Sequence, residues 1–99
     1  MPKAYVKVHG GGKVIAISDE EIIGKSIEDK KREIIFNVSE DFYKGELVEI
    51  KDLTNFLREG ENVNIIGNNS VDFAIENNFI KRENIILIGE TKHAQIYKI

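Results

Sequence analysis

Residues 4–18 read AYVKVHGGGKVIAIS, and this stretch decides how the fold begins. Ala4, Val6 and Val8 alternate with polar or aromatic residues, which is the pattern of a strand with one buried face. A second apolar run follows at residues 13–18. Because glycine reaches the positive φ values that tight turns require, Gly10–Gly12 between two strands predict a β-hairpin.

Two catalytic or ligand-binding interpretations of the glycines fail on their surroundings. A phosphate-binding loop of the Walker type needs a Ser or Thr after its lysine and then a helix, whereas Val14 and a β-rich run follow Lys13. An HGGG oxyanion loop needs a G-x-S-x-G nucleophile elbow, which this sequence lacks, and no cysteine replaces the serine. The glycines are therefore interpreted as a turn.

The rest of the chain mixes strands with helices. The patterns predict strands near 34–38, 47–50, 63–66, 85–88 and 93–98, and helices near 51–59 and 70–78. Residues 25–33 form a polar connection, and Gly60 occupies the position of a glycine that ends a helix. The prediction is one α+β domain, 1–99, built as a two-layer sandwich with two main helices on one face of a mixed β-sheet.

Composition excludes several classes of protein. The chain has no cysteine, which removes disulfide scaffolds, thiolate nucleophiles and zinc fingers. No apolar stretch is long enough to span a membrane, and the N-terminus does not resemble a signal peptide. We therefore expect a cytoplasmic protein without a membrane partner. A net charge of −3 argues mildly against a surface built wholly for nucleic acid.

The segment IIGNNSVDFAI, residues 65–75, predicts a strand, a turn and the start of a helix. The backbone N–H groups and the dipole at a helix start favour anions. One interpretation is therefore that a phosphate of RNA or of a small ligand binds at Gly67, Asn68, Asn69 and Ser70. Simple capping of the helix is the alternative.

The densest basic run is Lys30-Lys31-Arg32, with Lys25 upstream. These side chains are candidates for phosphate contacts that position RNA without reading its sequence. Acidic residues flank the run and cancel much of its field, so a solvated charged loop is the alternative.

His9 and His93 are the two histidines of the chain. We predict neither a metal site nor a cofactor, because a metal needs a third ligand and no carboxylate has diagnostic spacing. His93 and the nearby Gln95 are candidates for polar contacts to RNA, with His93 as a general base in the enzymatic alternative.

Taken in order, five segments resemble a small archaeal family catalogued as domain of unknown function family 424. They read YVKVH, DEEIIGK, VSEDFYKGELV, NIIGNNSVDFAIENNFI and KHAQIYKI, and together they cover nearly the whole chain. The resemblance implies a two-layer α/β protein with a predicted RNA-binding role linked to translation. It carries over no catalytic residues.

The leading hypothesis is a non-enzymatic domain associated with RNA or a ribonucleoprotein. A protein-interaction domain, such as a homodimer that pairs edge strands, is the second hypothesis. A small-molecule or phosphate-ligand binder at the 67–70 helix start is the third, and an enzyme is disfavoured because no nucleophile–base pair is visible.

Overall fold

The computed structural model describes residues 1–98. Its main sheet has six strands, with three helices and a separate two-stranded hairpin around it. The strands are β1 (Lys3–His9), β2 (Val14–Asp19), β3 (Ser26–Asp29), β4 (Ile34–Asn37), β5 (Glu46–Glu49), β6 (Asn62–Ile66), β7 (Ile86–Ile88) and β8 (Thr91–Tyr97). The helices are α1 (Glu40–Tyr43), α2 (Thr54–Glu59) and α3 (Asn68–Glu76).

The strand order in the main sheet is β5-β1-β2-β6-β8-β7. β2 and β6 pair in parallel at the centre, and the other neighbours pair antiparallel, so the sheet is mixed as predicted. β1 and β2 form the expected hairpin, and its three glycines all have positive φ, between +57° and +98°. The turn interpretation of Gly10–Gly12 is therefore confirmed.

One face of the sheet packs against α2 and α3. Leu53 and Leu57 from the α2 region, with Val71 and Ala74 from α3, are fully buried against inward-facing strand residues. The strand contribution comes from every second residue, as the alternation predicted. It consists of Ala4, Val6, Ile15, Ile17, Val63, Ile65 and Ala94. The α+β class and the two main helices on one face are thus confirmed.

A smaller layer covers part of the opposite face. The β3–β4 hairpin and α1 pack there around a second core of Ala16, Val38, Tyr43, Ile66 and Ile88. The prediction of a plain polar connection over 25–33 was wrong for residues 26–29, which form β3. Ser26-Ile27-Glu28-Asp29 has one apolar residue, Ile27, and that residue points into the second core.

α2 ends at Glu59 with Gly60 as its cap, as predicted, but Gly60 has a φ of −68° and not the left-handed conformation typical of a glycine at a helix end. It is a buried residue against Val63 and Ile15, where a Cβ atom would lie 2.7 Å from Val63 Cγ2. α3 starts at Asn68, two residues before the predicted start. No helix within residues 1–98 is long and apolar enough to cross a membrane.

Candidate functional site

A row of polar side chains crosses the sheet face that lies opposite α2 and α3. The register of β6 with β8 pairs Asn62 with Tyr97 and Asn64 with Gln95, and pairs Ile66 with His93. Residues that are directly opposite each other share a face. Asn62, Asn64, His93, Gln95 and Tyr97 therefore form one surface, which we call the polar strip.

The strip results from alternation along both strands. On β6, Val63 and Ile65 are buried under the helices while the two asparagines between and beside them point the other way. On β8, Ala94 and Ile96 pack towards the helices, which turns Gln95 and Tyr97 outward. A one-residue slip of either strand would exchange the two sets.

Hydrogen bonds hold the strip in one arrangement. The Gln95 side-chain amide donates to Asn62 Oδ1 at 3.2 Å and to the Tyr97 hydroxyl at 2.8 Å. Asn64 Oδ1 accepts from the Tyr43 hydroxyl and lies 3.3 Å from His93 Nε2. Tyr97 is 68% exposed, and its hydroxyl is held by the bond from Gln95.

Burial favours the neutral form of two ionisable groups in this region. Burial lowers the pKa of His93 below its ordinary value of 6.5 and raises the pKa of the Tyr43 hydroxyl. The His93 ring also packs against Phe36 of the covering hairpin, with centroids 5.2 Å apart. Near neutral pH the strip therefore offers uncharged donors and acceptors beside an aromatic ring.

The four basic candidates belong to the layer on the same side of the sheet. Lys30, Lys31 and Arg32 lie in the β3–β4 turn, and Lys25 immediately precedes β3. All four are exposed. Arg32 pairs with Asp29 at 3.0 Å, whereas the three lysines make no salt bridge with any residue from 1 to 98.

Asp29 fixes the position of this basic turn. Its carboxylate accepts from the backbone N–H of Gly89 and from the side chain and backbone of Arg32. These contacts hold the pKa of Asp29 below its ordinary value, and the bond from Gly89 has the largest effect. The turn is therefore tied to the β7–β8 connection.

The predicted turn at Gly67–Ser70 lies at that same end of the sheet but faces an internal carboxylate. Asp19, at the end of β2, accepts from the backbone N–H groups of Asn69 at 2.9 Å and Ser70 at 2.8 Å, and from the Ser70 hydroxyl at 2.5 Å. The Asn68 side chain donates a hydrogen bond to the Glu90 carbonyl oxygen and accepts one from the Lys92 backbone N–H. A phosphate at this turn would have to displace the Asp19 carboxylate.

Asp19 is the residue that sequence reasoning missed most clearly. It is only 3% exposed and lies about fifty positions before its partners, a separation that no local pattern reveals. Desolvation raises its pKa above the ordinary value of 3.8, against the opposing effect of its hydrogen bonds. Asn62 and Asn64 were missed as well, because their place depends on the pairing of β6 with β8.

The two histidines lie apart. β2 and β6 separate the strand of His9 from the strand of His93. His9 stacks on Phe42, with centroids 4.9 Å apart, and its Nε2 lies 2.8 Å from the Phe42 carbonyl oxygen. In the part of the chain that the structure describes, no three His, Asp or Glu side chains are placed to hold a metal ion.

Comparison with known families identifies the relatives of this fold. The family model described as "Protein of unknown function (DUF424)" matches residues 6–99. The chain belongs to the DUF424 family.

One solved structure is similar over almost the whole chain. It is described as the crystal structure of an uncharacterized conserved protein from Methanopyrus kandleri. The two share 23% sequence identity with a TM-score of 0.73, covering 96% of this chain and 90% of the other. At that identity the likeness demonstrates a shared fold. No curated protein matches the sequence.

Proposed function

We propose that this DUF424 domain is a non-catalytic module that binds single-stranded RNA within a ribonucleoprotein linked to translation. The observation that carries the proposal is the polar strip. An exposed tyrosine ring beside side-chain amides, on an open sheet face, matches the needs of an unpaired base, which stacks on aromatic rings and hydrogen-bonds through its edges.

The basic turn adds the second component of such a site. Lys25, Lys30, Lys31 and Arg32 sit on the hairpin that packs against the same sheet face, beside the phenylalanine that contacts His93. Phosphate contacts from these residues would position a strand whose bases lie on the strip. The flanking acids and the net charge of −3 favour a modest affinity that a protein partner strengthens.

RNA binding is tested by fluorescence anisotropy with a labelled single-stranded RNA of mixed sequence, about ten nucleotides long, and the same sequence as a duplex. We expect the single strand to bind more tightly. Tyr97→Ala should weaken binding about tenfold, since stacking of one base contributes roughly 1–3 kcal/mol. Tyr5→Ala is the matched control, because Tyr5 lies on β1, which β2 and β6 separate from the strand of Tyr97.

A salt series tests the basic turn separately. Replacing Lys30, Lys31 and Arg32 together by alanine should flatten the dependence of log K on log salt concentration. Absence of binding at low salt would refute the RNA proposal. So would an equal loss of affinity in the Tyr5 and Tyr97 variants, which would indicate a non-specific effect.

One further observation favours a second function, a protein-interaction domain that forms homodimers. β7 is an outer strand of the main sheet and its Ile86 and Leu87 are half exposed. β3 lies against β7, and its partner β4 carries the exposed Ile34 and Ile35. Exposed apolar residues on an outer strand are typical of surfaces that pair with another chain.

A further inference from the structure

β8 is paired along only part of its length on one side. β6 runs beside residues 93–97 of β8, whereas β7 pairs only with Thr91, Lys92 and His93. Before β7, the chain forms a 3-10 turn at Arg82–Asn84 and not a continuation of the strand. Beyond His93, the β7 side of β8 therefore has no neighbouring strand among residues 1–98.

The hydrogen-bond pattern shows which backbone groups face this gap. Gly67 N–H donates to Lys92 O and Lys98 N–H donates to Glu61 O, so the even-numbered residues of β8 bond towards β6. Because bonding direction alternates along a strand, the N–H and C=O groups of Gln95 and Tyr97 point into the gap. None of these four groups has a hydrogen-bond partner within the described chain.

A groove accompanies the unpaired edge. It has a volume of about 330 Å³, with Gln95 and Tyr97 on one wall and Phe79, Ile80 and Lys81 on the other. The two apolar residues are half-buried and pack against the helical core. Lys81 lines the groove and Arg82 follows it. Both are exposed and form no salt bridge with other described residues, so this pair places positive charge beside the groove, reduced by the neighbouring Glu83.

We propose that this edge binds an extended acidic peptide segment of a protein partner, which adds to β8 as a short strand in line with β7. Two sets of donor and acceptor groups, repeated at about 6.8 Å, are what another extended polypeptide backbone presents. The groove accommodates a side chain beside Phe79 and Ile80, and the basic pair favours acidic residues.

Charge disfavours β8 of a second copy as the occupant. Residues 91–98 contain two lysines and no acidic residue, so they do not complement Lys81 and Arg82. The peptide proposal also goes beyond RNA binding, since the peptide uses the main chain at the strand edge whereas RNA would use side chains on the sheet face.

The experiment uses NMR titration of the ¹⁵N-labelled protein with a capped peptide of alternating valine and glutamate. The backbone amides of Gln95 and Tyr97 should shift most. Gln95→Pro removes the outward N–H without removing a bond to β6, and Gln95→Ala removes only the side chain. We expect the proline variant to bind at least about tenfold more weakly than the alanine variant, which keeps the outward N–H.

Two probes guard against a variant that does not fold. A peptide N-methylated at alternate residues removes the same hydrogen bonds without changing the protein, and should bind in only one of its two methylation registers. A valine–lysine peptide tests charge, and Lys81→Glu should reverse the preference between the two peptides.

Four results would overturn the proposal. They are the absence of shifts at Gln95 and Tyr97 with millimolar peptide, equal losses for the proline and alanine variants, equal binding of both methylated peptides, and shifts of these amides by single-stranded RNA but not by peptide. The last result would leave RNA as the ligand of the edge. Failure of the Tyr97→Ala prediction for RNA would not affect the peptide result.

Discussion

Single residues join distant parts of this chain, and Asp19 is the clearest case. Its carboxylate ends β2 and caps the start of α3, and so fixes the helix to the central strand of the sheet. The three hydrogen bonds that it accepts lower its pKa, but the effect of burial is larger and raises it. The pKa of Asp19 is therefore above its ordinary value. The Asp19 carboxylate therefore occupies the position where the sequence suggested that a phosphate could bind.

The raised pKa of Asp19 makes its contribution to stability depend on pH. Between its ordinary pKa of 3.8 and its higher folded value, the folded state binds more protons than the unfolded state, so stability falls as pH rises. Asp19→Asn lacks this titration and should cost roughly 1–3 kcal/mol through a lost bond to Asn69 or Ser70.

The measurement is urea unfolding of wild type and Asp19→Asn at several pH values. The stability difference should be largest at low pH and shrink as pH rises through the folded pKa. A difference that does not vary with pH, or that grows as pH rises, would contradict a raised pKa.

Gly67 is required beside Asp19 for a steric reason. Its φ is +121°, and a Cβ atom there would lie 2.3 Å from Asp19 Cγ. Gly67→Ala should therefore cost about 2 kcal/mol or more in the free energy of unfolding. Gly10→Ala is the matched control, since Gly10 also has positive φ but has open space around it. Equal losses in the two variants would mean that backbone strain alone, without the clash, accounts for the effect.

At the scale of elements, apolar periodicity and turn residues predicted several strands. They include the β1–β2 hairpin and the strands near 63–66 and 93–98. β3 was not predicted because it has only one apolar residue, the half-buried Ile27, which packs against the second core. Its charged residues Glu28 and Asp29 lie opposite Ile35 and Ile34 of β4, so they give no alternating apolar pattern.

The candidate site divides in the same way. His93 and Gln95 were candidates from the sequence for polar contacts to RNA, and the structure places both in the polar strip. Asn62 and Asn64 were not candidates, because only the pairing of β6 with β8 brings them to those residues. Register between non-adjacent segments depends on the whole sheet and is not encoded in either strand alone.

Leucines in different elements should differ sharply in their contribution to stability. Leu57 of α2 is fully buried, whereas Leu87 of β7 is 49% exposed. Leu57→Ala should cost about 2–5 kcal/mol because it leaves a cavity in the core, and Leu87→Ala should change stability by about 0.5 kcal/mol or less. Thermal and urea unfolding of both variants tests this, and comparable losses would contradict the assignment of α2 to the main core.

For the whole molecule, charge and edges matter more than any single pair of residues. The net charge is −3, and the basic candidates lie on one hairpin among acids. The two outer strands differ in position: β5 ends the sheet beside β1, and β7 ends it beside β8. Because the polar strip includes residues of β8 and the exposed apolar residues lie on β7, we expect ligand binding and self-association on the β8–β7 side.

Self-association through β7 predicts a concentration-dependent dimer. Sedimentation velocity across a concentration series should show reversible dimerisation of wild type, and Leu87→Lys should abolish it, because a charge on an edge strand opposes pairing. Leu47→Lys, on the opposite outer strand β5, is the matched control and should leave the dimer intact. A monomer at every concentration, or an equal effect of both substitutions, would exclude β7 as the interface.

The parallel pairing of β2 with β6 has a kinetic consequence. It brings residues 14–18 against residues 62–66. A long loop must therefore close, at a cost in chain entropy, before the contacts between these two strands can stabilise the sheet. Such non-local pairing raises contact order and slows folding. The β1–β2 hairpin needs only a local turn, so it can form before β6 pairs with it. Until then the unpaired edge of β2 is the surface most open to misassembly.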